Sequence, residues 1–164
     1  MTLTALLNNQ RNLILLAAGG SFVLLAGAFV FQALGYAPCK LCLWQRWPHA
    51  GAIVLGGIAL LWPLRILMYS GAALALITGG LGLYHTGIER GFWPGPSSCT
   101  GSGPGLGSLS GNDLLSFDSA PAIVMCDQVA WQLLGLSMAS YNALGAFLFA
   151  LLWLLAARRG PVPA

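Results

Sequence analysis

Residues 12–39 read NLILLAAGGSFVLLAGAFVFQALGYAPC, with no Asp, Glu, Lys, Arg or His. A helix needs about 20 residues to cross the hydrocarbon core of a bilayer, or about 17 at the short end, and this stretch exceeds that. Three more follow: residues 47–64, uncharged apart from His49, residues 66–88, interrupted only by His85, and residues 128–157. Four crossings fit and no fifth segment is long enough. Composition agrees. Of 164 residues, 57% are hydrophobic and 7% are charged, against about 25% charged in an ordinary soluble domain. Too few charges remain to cover the surface of a soluble globule, and the apolar content excludes disorder.

These runs predict an all-α integral membrane protein, a single domain over residues 1–164 built as an up-down four-transmembrane-helix bundle. The expected helices are about 13–34, 47–64, 66–88 and 136–157, with loops of about 35–46 and 89–135 on one side. The first run is too long for the apolar core of a signal peptide, about 7–15 residues, and is read as a retained span. Arg11, Arg65, Arg158 and Arg159 fall on the side of the termini; Lys40, Arg46 and Arg90 fall opposite, with all four acids, Glu89, Asp113, Asp118 and Asp127. A margin of four basic residues to three favours both termini in the cytoplasm.

The cysteines then carry the chemistry. Cys39 and Cys42 lie between the first two helices, and Cys99 and Cys126 between the last two. In an up-down bundle both connections fall on one face, so the four thiols share one aqueous boundary. With the termini inside, that boundary is oxidising, and an even number of cysteines there suggests two disulfides with three possible connectivities. Cys39-Lys40-Leu41-Cys42 is followed by Leu43, which excludes c-type haem attachment, since that needs His. A zinc site with four cysteine ligands would need a second close pair, and Cys99 and Cys126 are 27 positions apart. A redox-active pair fits best. Lys40 lies between the thiols, Arg46 is one helical turn beyond Cys42, and the positive end of the second helix lies nearby; all favour a thiolate at Cys42. Alone, Arg46 reads more readily as an interfacial arginine that snorkels.

The second pair has another setting. Residues 91–112 are dominated by Gly, Pro and Ser, which predicts a mobile chain able to present Cys99 to an incoming protein. Residues 113–125 mix acids with Leu, Phe, Ile and Val, a pattern for short amphipathic turns on the membrane surface. Cys126 is flanked by Asp127, which disfavours its thiolate. A plain loop staple is the competing reading of Cys99 and Cys126.

Pro38-Cys39-Lys40-Leu41-Cys42-Leu43-Trp44-Gln45-Arg46, between the first two of four helices, resembles the signature of the DsbB family, the disulfide bond formation proteins of bacterial inner membranes. Trp131 and Leu134-Gly135-Leu136 before the last helix resemble it too. The resemblance implies a membrane thiol oxidase that reoxidises a DsbA-like thioredoxin-fold protein of the periplasm. Cys99 would be attacked by the partner's thiolate, with Cys126 the other half of that pair. Electrons would pass to Cys39 and Cys42, and Cys42 would donate them to ubiquinone or menaquinone, with Arg46 holding a quinone oxygen. No metal and no nucleic acid are implied. A DsbA-type disulfide lies near −120 mV, so its reoxidation calls for a stronger acceptor such as a quinone.

His49 and His85 both fall near the loop ends of their helices. His85 is a candidate hydrogen-bond partner in the quinone pocket, and an interfacial histidine without chemistry is the competing reading for each. Glu89 and Arg90 read as a solvated helix end, and Gly51, Gly56, Gly57, Gly79, Gly80 and Gly82 as close-packing positions. Two alternatives to the oxidase stand beside it. One is a disulfide-stapled, non-catalytic membrane subunit. The other is a quinone-linked thiol reductase of the vitamin K epoxide reductase type, whose Cys-x-x-Cys would be expected near the last helix instead.

Overall fold

The first helix, α1 (Gln10–Ala33), opens on Asn9, whose side chain accepts a hydrogen bond from the Arg11 amide. The protein is described here by a computed structural model covering residues 9–96, Cys99 and residues 125–159. At the far end of α1, Gly35 takes φ +97° and the Tyr36 amide bonds back to the Phe31 carbonyl. A left-handed residue just past the helix is how its last carbonyls find donors, and only glycine enters that region without strain.

Helix α2 (Lys40–Leu61) begins earlier than the expected residue 47. The reason is a cap: the Cys39 sulfur accepts from the Cys42 amide at 3.3 Å, so the helix nucleates on the first cysteine and runs through Pro48. Residues 40–46 are therefore the first turns of a helix and not loop. Pro63 follows the end of α2, and α3 (Arg65–Glu89) starts two residues later. Residues Gln132–Leu133 (β1) and Leu136–Ser137 (β2) form an antiparallel hairpin with Gln132 opposite Ser137. Its turn places Leu134 at φ +51° and Gly135 at φ +77°, the left-handed pair of a type I′ turn. Ser137 caps α4 (Met138–Arg158) by accepting from the Ser140 amide.

Each helix packs on its neighbour in sequence, and α4 closes the ring against α1. That is the packing of a four-helix bundle. The core at the terminal end is small-residue packing around one large ring. Ala17, Ala18, Ala59, Ala72, Ala75, Ala150 and Ala156 surround the fully buried Trp153 indole, with Leu13, Ile14 and Met68. Buried Gln10 donates to the carbonyls of Ala156 and Arg159, at 3.0 and 2.8 Å, which supplies donors to the carbonyls at the end of α4.

Glycines let the helices approach. A Cβ on Gly71 would lie 2.6 Å from the Trp153 ring, and one on Gly82 would lie 3.0 Å from both the Ala139 carbonyl and the Asn142 side chain. Gly51, Gly56 and Gly79 likewise face side chains, whereas Gly57 and Gly80 face open space and do not pack as expected. Among the described residues, three helices are long and apolar enough to cross a membrane: α1, α3 and α4. The fourth helix, α2, carries Lys40, Arg46 and His49 in its first half. The stretch read from sequence as mobile lies, Cys99 and residues 91–96 apart, outside the described residues, and so do residues 113–124 of the amphipathic stretch.

Candidate active site

The loop ends of α2 and α3 bring the cysteines together. Cys39, as the cap of α2, is 4% exposed. It packs with Leu41, Ile88, Cys99 and Cys126 in a cluster of its own, against which Cys42 also lies. Cys99 and Cys126 are joined in a disulfide and Cys39 and Cys42 are free thiols. The Cys126 amide donates to the Cys99 carbonyl at 2.6 Å. Cys99, expected from composition to be displayed, is 4% exposed: with this distribution of bonds, its disulfide is tucked onto the end of the bundle against Ile88 and Leu41.

The Cys39 and Cys42 sulfurs are 3.1 Å apart, close enough for one proton to be shared. The anion belongs on Cys39. The hydrogen bond with the Cys42 thiol holds the Cys39 thiol far below its ordinary range, and the nearby His85 imidazole assists, while burial opposes both. The helix start contributes as well. Because α2 begins at Lys40, its positive end falls on the capping Cys39, with Cys42 in the first turn.

Arg46 is turned toward α1 instead of the Cys42 sulfur. Its Nη1 donates to Gln32 Oε1 at 2.7 Å, Nη2 lies 3.4 Å from the Ala28 carbonyl, and the guanidinium covers the Phe29 ring at 4.7 Å. Its Nε is buried and has no partner. Arg46, Cys42, Gln45, His49, His85 and Asn142 line one side of a cavity of about 440 Å³. Its other walls are apolar and aromatic, among them Val23, Leu24, Phe31, Trp131 and Tyr141.

The chain matches the sequence model of the disulfide bond formation protein DsbB family over residues 10–156. It belongs to the DsbB family. Relatives agree: it is 32% identical to disulfide bond formation protein B of an Azoarcus species over 94% of this chain and 98% of the relative. It is 29% identical to disulfide bond formation protein B 2 of Pseudomonas aeruginosa over 85% of each chain. No solved structure matches. DsbB membership makes the chain a disulfide-forming oxidoreductase of the membrane, and the cysteine cluster is the part of the structure equipped for that chemistry.

Sequence reasoning missed Gln45, Thr78, Ser137 and Asn142. Buried Gln45 lies 3.1 Å from His85 Nδ1 and accepts from Asn142 at 2.7 Å. Glu89, read as a solvated helix end, is instead 3.8 Å from His85 Nε2 and accepts from the Ser137 hydroxyl. Polar residues one and two turns into an apolar helix, such as Gln45 and Asn142, were the available signal.

Cys39, Cys42 and His85 also place their ligand atoms within 4.8 Å of one another, a spacing a soft cation could use. Their surroundings oppose it. A histidine bound to metal through Nε2 donates from its other nitrogen to an acceptor, but His85 Nδ1 faces the amide nitrogen of Gln45, a donor.

Proposed function

We propose that the protein is a quinone-linked thiol oxidase that regenerates a DsbA-like dithiol protein of the periplasm. One observation carries the reading: two cysteine pairs, one disulfide and one dithiol, share a buried cluster at the edge of an apolar cavity lined by Cys42 and Arg46. The same reading has all four helices crossing the inner membrane, with both termini cytoplasmic and the cysteines on the periplasmic side.

The sulfur chemistry balances as exchange. The partner's thiolate attacks Cys99, Cys126 leaves as a thiolate, and the partner's second thiol displaces Cys99 to depart as a disulfide. Cys99 and Cys126 are then a dithiol. With Cys39 and Cys42 oxidised, a loop thiolate attacks the Cys39 sulfur, which packs beside it, and Cys42 is released as a thiolate. The second loop thiol displaces Cys39 and restores the Cys99–Cys126 bond. The electron pair now resides on Cys39 and Cys42, which is the distribution of bonds seen here.

A ubiquinone or menaquinone held by Arg46, Cys42 and His85 on the cavity wall would supply the acceptor for two electrons and two protons that returns Cys39 and Cys42 to a disulfide. The chain's own groups fit such a ligand. The buried, unpartnered Arg46 Nε is a donor suited to a quinone oxygen, His85 is a further polar wall residue, and the apolar lining excludes water. Cys42 is the sulfur on the cavity wall and Cys39 lies within the cluster of the loop pair, so electrons would enter at Cys39 and leave from Cys42.

The test is quinone reduction by detergent-purified protein supplied with a reduced DsbA-like protein. Wild type should turn over and Cys42→Ser should lose turnover completely. Absence of turnover with both quinones, in folded protein, would overturn the reading in favour of a stapled, non-catalytic subunit.

A further inference from the structure

A directed chain of hydrogen bonds crosses the bundle beneath the cysteines, and its direction is fixed by one acceptor that cannot donate. Asn142 Nδ2 lies 3.2 Å from the Thr78 backbone carbonyl. That nitrogen is therefore the amide NH2, and the oxygen of Asn142 faces His49 Nε2 at 2.7 Å. The same NH2 donates to Gln45 Oε1 at 2.7 Å, which fixes the Gln45 amide in turn. Gln45 then presents its own NH2 to His85 Nδ1 at 3.1 Å. A neutral imidazole carries one proton, and with Nδ1 accepting, the proton is on Nε2. A second observation agrees. The two groups facing Nε2 are both acceptors when ionised: the Cys39 sulfur at 3.6 Å and Glu89 Oε1 at 3.8 Å.

We propose that Gln45 and Asn142 are positioning residues that hold His85 as the Nε2–H tautomer, so that its N–H points at the Cys39 sulfur and stabilises the thiolate there. Neither residue touches the sulfurs; both act through the imidazole. If the link is cut, Gln45 can turn its oxygen to Nδ1, the proton moves to that nitrogen, and Nε2 meets Cys39 as a lone pair. The sulfur then loses a charge-assisted hydrogen bond. Thr78 secures the arrangement from α3, its hydroxyl donating to the Gln45 carbonyl at 3.0 Å. Three helices thus contribute to setting one tautomer: α2 through Gln45, α3 through Thr78 and α4 through Asn142.

The other groups around His85 are accounted for. Cys39 and Cys42 approach from the start of α2, Glu89 from α3, the helix of His85 itself, and the Cys126 backbone from the segment before the hairpin. Ser137 holds the Glu89 carboxylate, Arg90 lies beside it, and Arg46 is turned to α1. The hydrogen bonds of Asn142 go to His49, Gln45 and Thr78 and to none of these groups.

The inference rests on Cys39–Cys42 being the redox pair, but its readout needs neither quinone nor partner, so the two can fail separately. The full-length chain in detergent, carrying Cys99→Ala and Cys126→Ala so that only one pair titrates, is reduced and its thiolate absorbance near 240 nm is followed against pH. Asn142→Leu and Gln45→Met should each raise the apparent pKa of the first thiol by about one unit, roughly a tenfold loss of thiolate at a fixed pH below it. His85→Ala should raise it at least as far, and adding Asn142→Leu to His85→Ala should raise it no further. Unchanged titration in both single variants, with helicity and melting like the parent, would overturn the proposal. So would an additive shift in the double variant, because Asn142 would then act on the sulfur by another route.

Discussion

Cys39 combines three roles that pull in the same direction. It is the cap of α2, the partner of the Cys42 thiol and the neighbour of His85, and each favours sulfur as an anion. A thiol whose folded pKa lies below its unfolded value of about 8.5 stabilises the folded dithiol protein. That contribution is complete above the unfolded pKa and is lost as pH falls toward the depressed folded one. The disulfide form has no such group. Acidification from alkaline pH should therefore lower the melting temperature of the reduced protein relative to the oxidised protein, and His85→Ala should shrink that difference. Melting curves of both redox forms across a pH series in one detergent check this. A difference independent of pH would mean that Cys39 is not held as a thiolate.

At the scale of elements, the site depends on how closely α3 and α4 approach. Gly82 meets the Ala139 carbonyl and the Asn142 side chain, and a Cβ there would be 3.0 Å from both. Gly82→Ala should push α4 away, weaken the Asn142–Gln45 bond and lower stability by about 1–3 kcal/mol, the usual cost of overpacking. Gly80→Ala is the control, since a methyl there meets nothing within 4 Å, and it should leave the melting temperature unchanged or slightly higher. Equal effects of the two substitutions, read by thermal melting in detergent, would sink the packing argument. This dependence on approach also explains what could be read in the sequence. Uncharged runs around residues 13–34 and 66–88 mark α1 and α3 because the bilayer's demand is local to each segment. The two cysteine pairs and Arg46 stand out for the same reason, as polar chemistry at the ends of apolar runs. The start of α2 was misplaced because its cap is a cysteine sulfur, not the Ser, Thr, Asp or Asn that usually signals one. Gln45 and Asn142 are 97 positions apart, and their meaning exists only once three helices have met. Glu89 reads as a solvated end until Ser137 and His85 are placed beside it.

Across the whole molecule, orientation in the membrane rests on few charges. Arg11, Arg65, Arg158 and Arg159 oppose Lys40, Arg46 and Arg90, a margin of four to three. The structure sharpens that count. Arg46 is committed to Gln32 and Phe29 on α1, and Arg90 donates to the Gly135 carbonyl of the hairpin at 3.1 Å. Lys40, the third opposing cation, lies over the Trp44 ring at 5.7 Å, while Arg158 and Arg159 end α4 as an exposed adjacent pair. Because basic residues close to a span resist translocation, the C-terminal pair should have more influence than the bare margin indicates. A phosphatase that is active only outside the cytoplasm should be inactive when fused after Arg159 and active when inserted between α3 and α4 at Gly95. Replacing both terminal arginines, Arg158→Ser with Arg159→Ser, leaves two cations against three and should produce a mixed population with activity at both sites. An active C-terminal fusion in the unmodified chain would reverse the orientation. It would put the cysteines on the reducing side, where a Cys99–Cys126 disulfide is not maintained, and the oxidase reading would fall with it.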